Sequence, residues 1–120
     1  FPSLKFVFQE MGYAWLPSVM WRLDKDWRSL RSEVPWLKRP PSECITDHIR
    51  LTSQPIEEPP SAAQHLQLLE MMQAEKTLLF ASDYPHWDFD NPRHVLQEVS
   101  EPMRRRIFSE SAFEIYNLEK

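Results

Sequence analysis

The sequence contains one glycine, Gly12, among its 120 residues. Glycine-rich phosphate-binding loops of the GxGxxG and P-loop kinds each need several glycines, so this scarcity excludes nucleotide binding by either motif. Cysteine is equally scarce. The single Cys44 excludes an internal disulfide and fits a reducing compartment, which leads us to expect a cytoplasmic location and a buried or idle thiol.

Long apolar runs and basic surface are also lacking. No apolar stretch approaches the roughly 20 residues that span a bilayer, so we expect no membrane partner. A net charge of −4 and a pI near 5.5 argue against nucleic acid, because phosphate binding needs a basic face. The one basic cluster, 104–106, predicts a solvated helix face. Since no initiator methionine or signal peptide is visible, we expect a piece of something longer.

The residues that are present predict a single α/β domain. A hydrophobic content of 42% supports one packed core. Short apolar runs bounded by turn residues predict buried strands, and apolar stripes behind capping residues predict helices between them. The predicted strands are 4–9, 49–53 and 77–81. The predicted helices follow Pro17, Ser42, Ser61, Asn91, Pro102 and Ser109. This alternation is typical of a parallel sheet with right-handed crossovers.

Polar side chains stand at the ends of all three predicted strands. Glu10 follows the first strand, Gln54 the second, and Asp83 the third. Because parallel strands end at one edge of a sheet, these residues and His86 are expected to converge there. A carboxylate at such a tip binds a divalent cation through oxygen or moves a proton. An aspartate that merely caps the next helix is an equally good interpretation of Asp83 from the residues alone.

The remaining histidines do not add a second site. His48 is predicted to be structural, and His65 and His94 are predicted to be surface or packing residues within helices. No His-x-His, HExxH or Ser-His-Asp pattern is present. Only His86 therefore accompanies the three strand tips.

Four segments in order resemble a known family. They are FPSLK at 1–5 running into residues 10–24, LKRPPSE at 37–43 with TSQP at 52–55, LFASDYPHWD at 79–88, and IFSESA at 107–112. The sequence resembles the C-terminal part of the amidohydrolase-related (amidohydrolase 2) family. These are (β/α)8 metal-dependent hydrolases and decarboxylases akin to aminocarboxymuconate-semialdehyde decarboxylase. The third segment is the most specific.

The resemblance implies that the chain is the end of a TIM barrel. Residues 1–120 would form a single domain, the last three β/α units plus C-terminal helices. Asp83 would be the last-strand aspartate that faces the metal, usually zinc, and serves as the catalytic acid or base. Glu10 stands where many relatives carry a histidine, so it is expected to contact substrate, together with His86 and Trp87. The aromatic loop suggests a small cyclic or aromatic carboxylic substrate.

The same resemblance implies that much of the site is missing from the 120 residues. The first-strand His-x-His and the fifth-strand histidine of the family would lie upstream. A catalytic zinc site takes about three protein ligands, and this chain keeps one. The divalent metal, expected to be zinc, would therefore bind in the complete barrel. The alternative is that this chain by itself binds no metal. We expect the isolated chain to be inactive, or to be part of a longer enzyme.

The alternative is a non-catalytic fragment that folds by self-association. Three parallel strands leave two open edges and an inner face on which Phe6 or Val7, Leu51 and Leu79 would be uncovered. Open edges pair readily with another chain. The expected partner is a second copy of the chain or the rest of the barrel. A third interpretation, a small α/β interaction module, requires that Asp83 point away from any cleft.

Overall fold

A parallel three-stranded sheet organises the chain. The computed structural model describes residues 2–118. The strands are β1 (Phe6–Phe8), β2 (Ile49–Thr52) and β3 (Leu78–Leu79), in the order β1-β2-β3. This arrangement confirms the predicted α/β class and parallel pairing. The strands are shorter than predicted: β1 begins two residues later than predicted, and β3 keeps only Leu78 and Leu79.

Six α-helices surround the sheet within the described residues. They are α1 (Leu16–Ser29), α2 (Pro41–His48), α3 (Ala62–Met71), α4 (Ala74–Thr77), α5 (Glu101–Arg105) and α6 (Ser111–Tyr116). A π-helical turn, Arg106–Glu110, joins α5 to α6. No helix in residues 2–118 has the length and apolar character needed to cross a membrane.

Two helix starts show how far local patterns decide structure. Ser61 caps α3 as predicted, because its Oγ accepts the Gln64 N–H at 3.3 Å. The start of α2 differs from the prediction, since Ser42 lies inside the helix. The carboxylate of Asp24, on α1, accepts both the Ser42 N–H at 2.9 Å and the Ser42 hydroxyl at 2.7 Å. A side chain 18 residues earlier therefore replaces the predicted local cap.

The helix predicted after Asn91 is wrong. Asn91 Oδ1 accepts the Arg93 N–H at 2.9 Å, but the segment continues as turns. Arg104 Nη1 donates to the carbonyls of Val95 and Leu96 at 2.9 and 3.0 Å. Those carbonyls are therefore satisfied without a helix. Arg104 is accordingly a structural residue rather than part of a solvated face.

The helix predicted to start at Ser109 is likewise wrong in its boundary. The Ser109 hydroxyl donates to the Arg105 carbonyl at 3.1 Å within the π-helical turn, so the residue caps nothing. The turn also covers one edge of the sheet, because the Phe80 N–H donates to the Ile107 carbonyl at 2.9 Å. Of the two open edges predicted for the sheet, this one is occupied.

The core lies between the sheet and the helices. It is built from buried apolar side chains of every layer: Tyr13, Leu16, Met20, Ile45, Leu51, Leu69, Met72, Ala74, Leu78, Leu96, Val99 and Ile107. Leu51 and Leu79 are both buried, so the prediction that they would be uncovered is wrong. Phe6 is 48% exposed, which agrees with the prediction that it would be uncovered. Along α1, Leu16 and Met20 are buried, whereas Val19, Leu23 and Leu30 are exposed.

Gly12 marks the entry to α1. Its φ is +63°, and a Cβ built on it would lie 2.9 Å from Oε1 of Glu57. The same carboxylate accepts the N–H groups of Tyr13 and Ala14 at 2.5 and 2.6 Å. The loop after β2 thus satisfies the backbone that leads into α1, in space that only glycine leaves open.

We predict that Gly12→Ala lowers the free energy of unfolding by about 1–3 kcal/mol, because the side chain adds left-handed strain and displaces Glu57. Urea denaturation measures the change. Ser18→Ala, on the exposed side of α1, is the matched control and should shift stability by less than about 0.5 kcal/mol. A Gly12→Ala protein as stable as the control would contradict this explanation of the only glycine.

Candidate active site

Asp83 lies just beyond β3, in a backbone conformation that L-residues seldom adopt. Its φ is 57°, and its side chain is 22% exposed. His86 Nδ1 lies 2.8 Å from Asp83 Oδ2, and the His86 N–H donates to the Asp83 carbonyl at 2.9 Å. Strained backbone of this kind concentrates at functional sites. The strand tip therefore presents an oriented carboxylate, and the histidine beside it fixes its rotamer.

The neighbouring strand and the following loop hold Asp83 in place. The Ala81 N–H donates to Ser53 Oγ at 3.1 Å, and that hydroxyl lies 3.3 Å from the Ala81 carbonyl. The Asp90 N–H donates to the Ser82 carbonyl at 2.8 Å, which closes the loop on itself. Both ends of the segment that carries Asp83 are thus anchored to backbone or to β2.

Glu10 occupies the corresponding position after β1. Its φ is also positive, at 54°, and its N–H donates to Thr52 Oγ1 at 3.2 Å. Glu10, Gln54 and Asp83 line one cleft of about 160 Å³, together with Gln9, Thr52 and Ala81. The three predicted strand-tip residues are therefore side by side.

His86 and Trp87 stand outside that cleft. His86 is tied to it only through Asp83, and its side chain is 68% exposed. Trp87 is 93% exposed, so its ring projects from the loop into solvent. The sequence predicts that both residues belong to the site. In the structure they follow Asp83 in the chain but do not line the cleft, and we call this position its rim.

A second carboxylate joins Asp83 and His86. Ligand atoms of Asp83, His86 and Asp88 all lie within 4.8 Å of one another. Gln54 Nε2 holds this part of the loop by donating to the Asp88 carbonyl at 3.3 Å. Two carboxylates and an imidazole form a donor set that suits zinc and related divalent cations. Sequence reasoning missed Asp88, although it lies in the same short segment.

Asp90 adds an observation that favours a cation here. Its Oδ2 is buried and has no hydrogen-bond partner among residues 2–118. Burial raises the pKa of the Asp90 carboxyl, and the charges of Glu58, Asp88 and Asp83 raise it further. The loop therefore carries more negative charge than the hydrogen-bond donors around it neutralise. A divalent cation would offset that excess, so the residues present fit a metal.

A buried chain of polar side chains in contact lies in the same group of loops. Tyr13 Oη is 2.8 Å from His65 Nε2. His65 Nδ1 is 2.5 Å from Glu98 Oε1, an ion-pair distance, but that oxygen has no hydrogen bond of normal geometry among residues 2–118. The Glu57 N–H donates to Tyr13 Oη at 3.2 Å. Burial raises the pKa of the Tyr13 phenol above its usual range, so the hydroxyl stays protonated and is able to donate to a neutral imidazole. We call Tyr13, His65 and Glu98 the buried relay.

The buried relay connects the segments that follow all three strands. Tyr13 lies after β1, Glu57 and His65 after β2, and Glu98 after β3. The sequence contained one signal for this role: His65 lies four residues before the buried Leu69, on the same face of α3. A histidine on an inward face needs a polar partner, and the partners come from distant segments.

Comparison with known proteins identifies a family and a similar fold. The family model described as amidohydrolase matches residues 1–118. Among solved structures, the chain is similar to 5-carboxyvanillate decarboxylase LigW from Sphingomonas paucimobilis, with 24% identity and a TM-score of 0.64 over 99% of this chain. The match covers 35% of that chain.

This likeness shows that the α/β arrangement described above is shared with part of a longer structure. No curated protein sequence matches the chain. Members of the amidohydrolase family are metal-dependent. Because the family model spans nearly every residue, the chain belongs to the amidohydrolase family.

Proposed function

We propose that the chain forms the last three β/α units of a (β/α)8 metal-dependent hydrolase or decarboxylase, with Asp83 as its metal-facing acid or base. The observation that carries the proposal is Asp83 itself, a left-handed strand-tip carboxylate 2.8 Å from His86 with Asp88 in reach. Active sites of such barrels are built at the carboxyl ends of the strands. Membership of the amidohydrolase family adds support.

Different residues of the chain have different proposed roles at the site. The His86 Nδ1–H donates to one Asp83 oxygen, which leaves the other oxygen to face the cation or to take a proton. Gln54 holds the Asp88 segment next to them. Zinc, when bound, would supply a Lewis acid and a more acidic water at this carboxylate. Its remaining ligands would come from the rest of the barrel, since a catalytic zinc takes about three protein ligands.

Glu10 is proposed as a substrate contact. It lines the cleft across from Asp83, and its negative charge suits a donor group on the substrate better than a substrate carboxylate. His86 and Trp87 would close the rim. Tyr84 and Trp87 are 75% and 93% exposed, so their rings offer faces on which a flat substrate stacks. The exposed rings favour a small cyclic or aromatic substrate, and the carboxylic group proposed for it would face the divalent cation rather than Glu10.

We predict that Trp87→Ala raises KM about tenfold while kcat changes less than threefold, because stacking at the rim contributes about 1–1.5 kcal/mol to binding and nothing to the chemical step. Steady-state kinetics of the complete enzyme measures both constants. The matched control is Trp36→Ala, which removes another ring that is 74% exposed but lies far along the chain from the loop. Equal effects of the two substitutions would remove Trp87 from the site.

Metal-dependent turnover tests the proposal as a whole. The complete enzyme would be assayed with carboxylated phenols for release of CO₂, and with lactones and amides for hydrolysis. We expect activity on at least one class, loss of that activity on chelation, and recovery with a stoichiometric divalent cation. Activity that survives exhaustive chelation, with no bound metal by mass spectrometry, would contradict the proposal.

A second candidate is a non-catalytic chain that associates with its own copies. The observation that favours it is the surface around β1. Within residues 2–118, β1 pairs with β2 alone, and Leu4 and Phe6 are 45% and 48% exposed. An open edge with apolar neighbours recruits another strand. Size-exclusion chromatography with light scattering distinguishes the two cases. A stable monomer of the 120-residue chain would reject self-association.

A further inference from the structure

Each strand of the sheet begins beside a cation. Lys5 directly precedes β1, Arg50 is the second residue of β2, and Lys76 lies two residues before β3. Because the strands are parallel, these three residues meet at the edge of the sheet opposite Asp83. They line a cleft of about 490 Å³, which Arg39 and Arg106 also line. We call this the basic cleft.

The charge of the basic cleft opposes that of the whole chain. Its lining includes five cations against two carboxylates, Asp47 and Glu114, a net of +3 with His48 neutral. The chain as a whole carries −4. A cluster of cations in an acidic protein costs free energy through repulsion unless an anion offsets it.

Arg50 is the most deeply placed of these cations. Its side chain is 6% exposed, and its Nε has no hydrogen-bond partner among residues 2–118. Nη1 donates to the carbonyls of Thr46 and Ile49 at 2.8 and 2.9 Å, whereas the nearest carboxylate oxygen, on Glu114, is 4.0 Å from Nη2. Burial lowers the pKa of Arg50; the charge of Glu114 raises it and that of Arg106 lowers it, and the net shift is downward. This guanidinium is therefore incompletely neutralised.

The two carboxylates of the cleft are already engaged. Asp47 pairs with Arg39 at 2.6 Å, and Glu114 pairs with Arg106 at 2.7 Å. Neither Lys5 nor Lys76 has a carboxylate within 4.0 Å in the described part of the chain. Lys5 Nζ instead donates to the Asp47 carbonyl at 2.7 Å, and Lys76 Nζ donates to Gln73 Oε1 at 3.3 Å, so the charge of each lysine is not neutralised. Two ammonium groups and a buried guanidinium thus remain for a ligand.

We propose that the basic cleft binds a small phosphate-bearing molecule with at least two negative charges. Phosphate oxygens match both the guanidinium fork and the ammonium groups. A volume of about 490 Å³ lies in the range of small-molecule pockets. An adjoining cleft of about 600 Å³, which shares Lys5, Arg50 and Glu114, leaves space for the group that carries the phosphate. The site is independent of the chemistry at Asp83.

Isothermal titration near neutral pH tests the proposal, with orthophosphate, pyrophosphate and ADP as probes at constant ionic strength. We expect saturable binding of at least one probe with a Kd below about 1 mM. Binding of ADP tighter than orthophosphate identifies a phosphate ester as the ligand, and equal or tighter binding of orthophosphate identifies the free anion. Absence of saturable heat for all three probes would overturn the proposal.

Single substitutions locate the site. Lys5→Gln and Lys76→Gln remove exposed side chains and should preserve the fold, as circular dichroism would verify. Each is expected to weaken binding of the best probe about tenfold. Lys25→Gln and Arg93→Gln remove exposed cations elsewhere and are the matched controls. If the controls weaken binding as much as the cleft variants, the attraction is nonspecific and the proposal fails.

Discussion

Asp83→Asn in the complete enzyme is expected to lower metal-dependent kcat by roughly 10²–10⁴-fold while the fold is retained. The amide keeps the shape of the side chain and still accepts from His86 through its oxygen. It lacks the charge that a cation needs and cannot take up a proton. Steady-state kinetics, with metal content measured on the same sample, tests this expectation.

Two further variants sharpen the interpretation of Asp83→Asn. Asp88→Asn should reduce activity or metal affinity by about 10–100-fold, the range for groups that support a metal ligand. Asp26→Asn, on α1 and paired with Arg22, is the control and should leave activity unchanged. Near-normal turnover by Asp83→Asn would refute the catalytic role, even if Asp88→Asn were impaired.

His65→Leu is expected to cause the largest loss of stability, about 2–4 kcal/mol in the free energy of unfolding. The leucine fills the space but removes the imidazole from the Tyr13 hydroxyl, which keeps only the Glu57 N–H, and from the Glu98 carboxylate. Glu98 is only 17% exposed at its side chain, so water does not fully replace the imidazole. Urea denaturation measures the loss.

The companion variants separate the buried relay from general packing. Tyr13→Phe should cost about 1–3 kcal/mol, because it leaves His65 Nε2 and the Glu57 N–H unpaired. Adding Glu98→Met to His65→Leu should recover much of the loss, since both members of the pair are then apolar. His94→Leu, at an exposed site, is the control. A His65→Leu protein as stable as that control would contradict the role assigned to the buried relay.

The parts of the fold that were predictable are those that nearby residues determine. Short apolar runs between turn residues located the three strands, and parallel pairing then placed Glu10, Gln54 and Asp83 at one edge. Ser61 capped its helix as expected because both partners of the hydrogen bond lie within four positions. Local sequence decides such features without help from the rest of the chain.

The parts that were missed depend on distant partners. Asn91 and Pro92 have the pattern of a helix start, yet Arg104 donates to carbonyls of that segment from eight or more residues away. Asp24 replaced Ser42 as the cap of α2 in the same manner. A local sequence pattern reveals neither of these contacts, because each forms only when distant parts of the chain fold together.

The candidate site was also predictable only where local sequence determines it. The position of Asp83 followed from strand order, but its companions Asp88 and Asp90 did not. The loop that returns them to the strand tip closes through the Asp90 N–H and the Ser82 carbonyl, a contact that the sequence does not reveal. His65 was assigned to surface or packing because its partners, Tyr13 and Glu98, lie 52 and 33 positions away.

The most direct test of the central claim is anomalous diffraction at the zinc edge from crystals of the protein grown with zinc. We expect a peak about 2.0–2.2 Å from a carboxylate oxygen of Asp83, and no such peak in crystals of Asp83→Asn. A zinc peak that makes no contact with Asp83, or one that persists unchanged in Asp83→Asn, would contradict it.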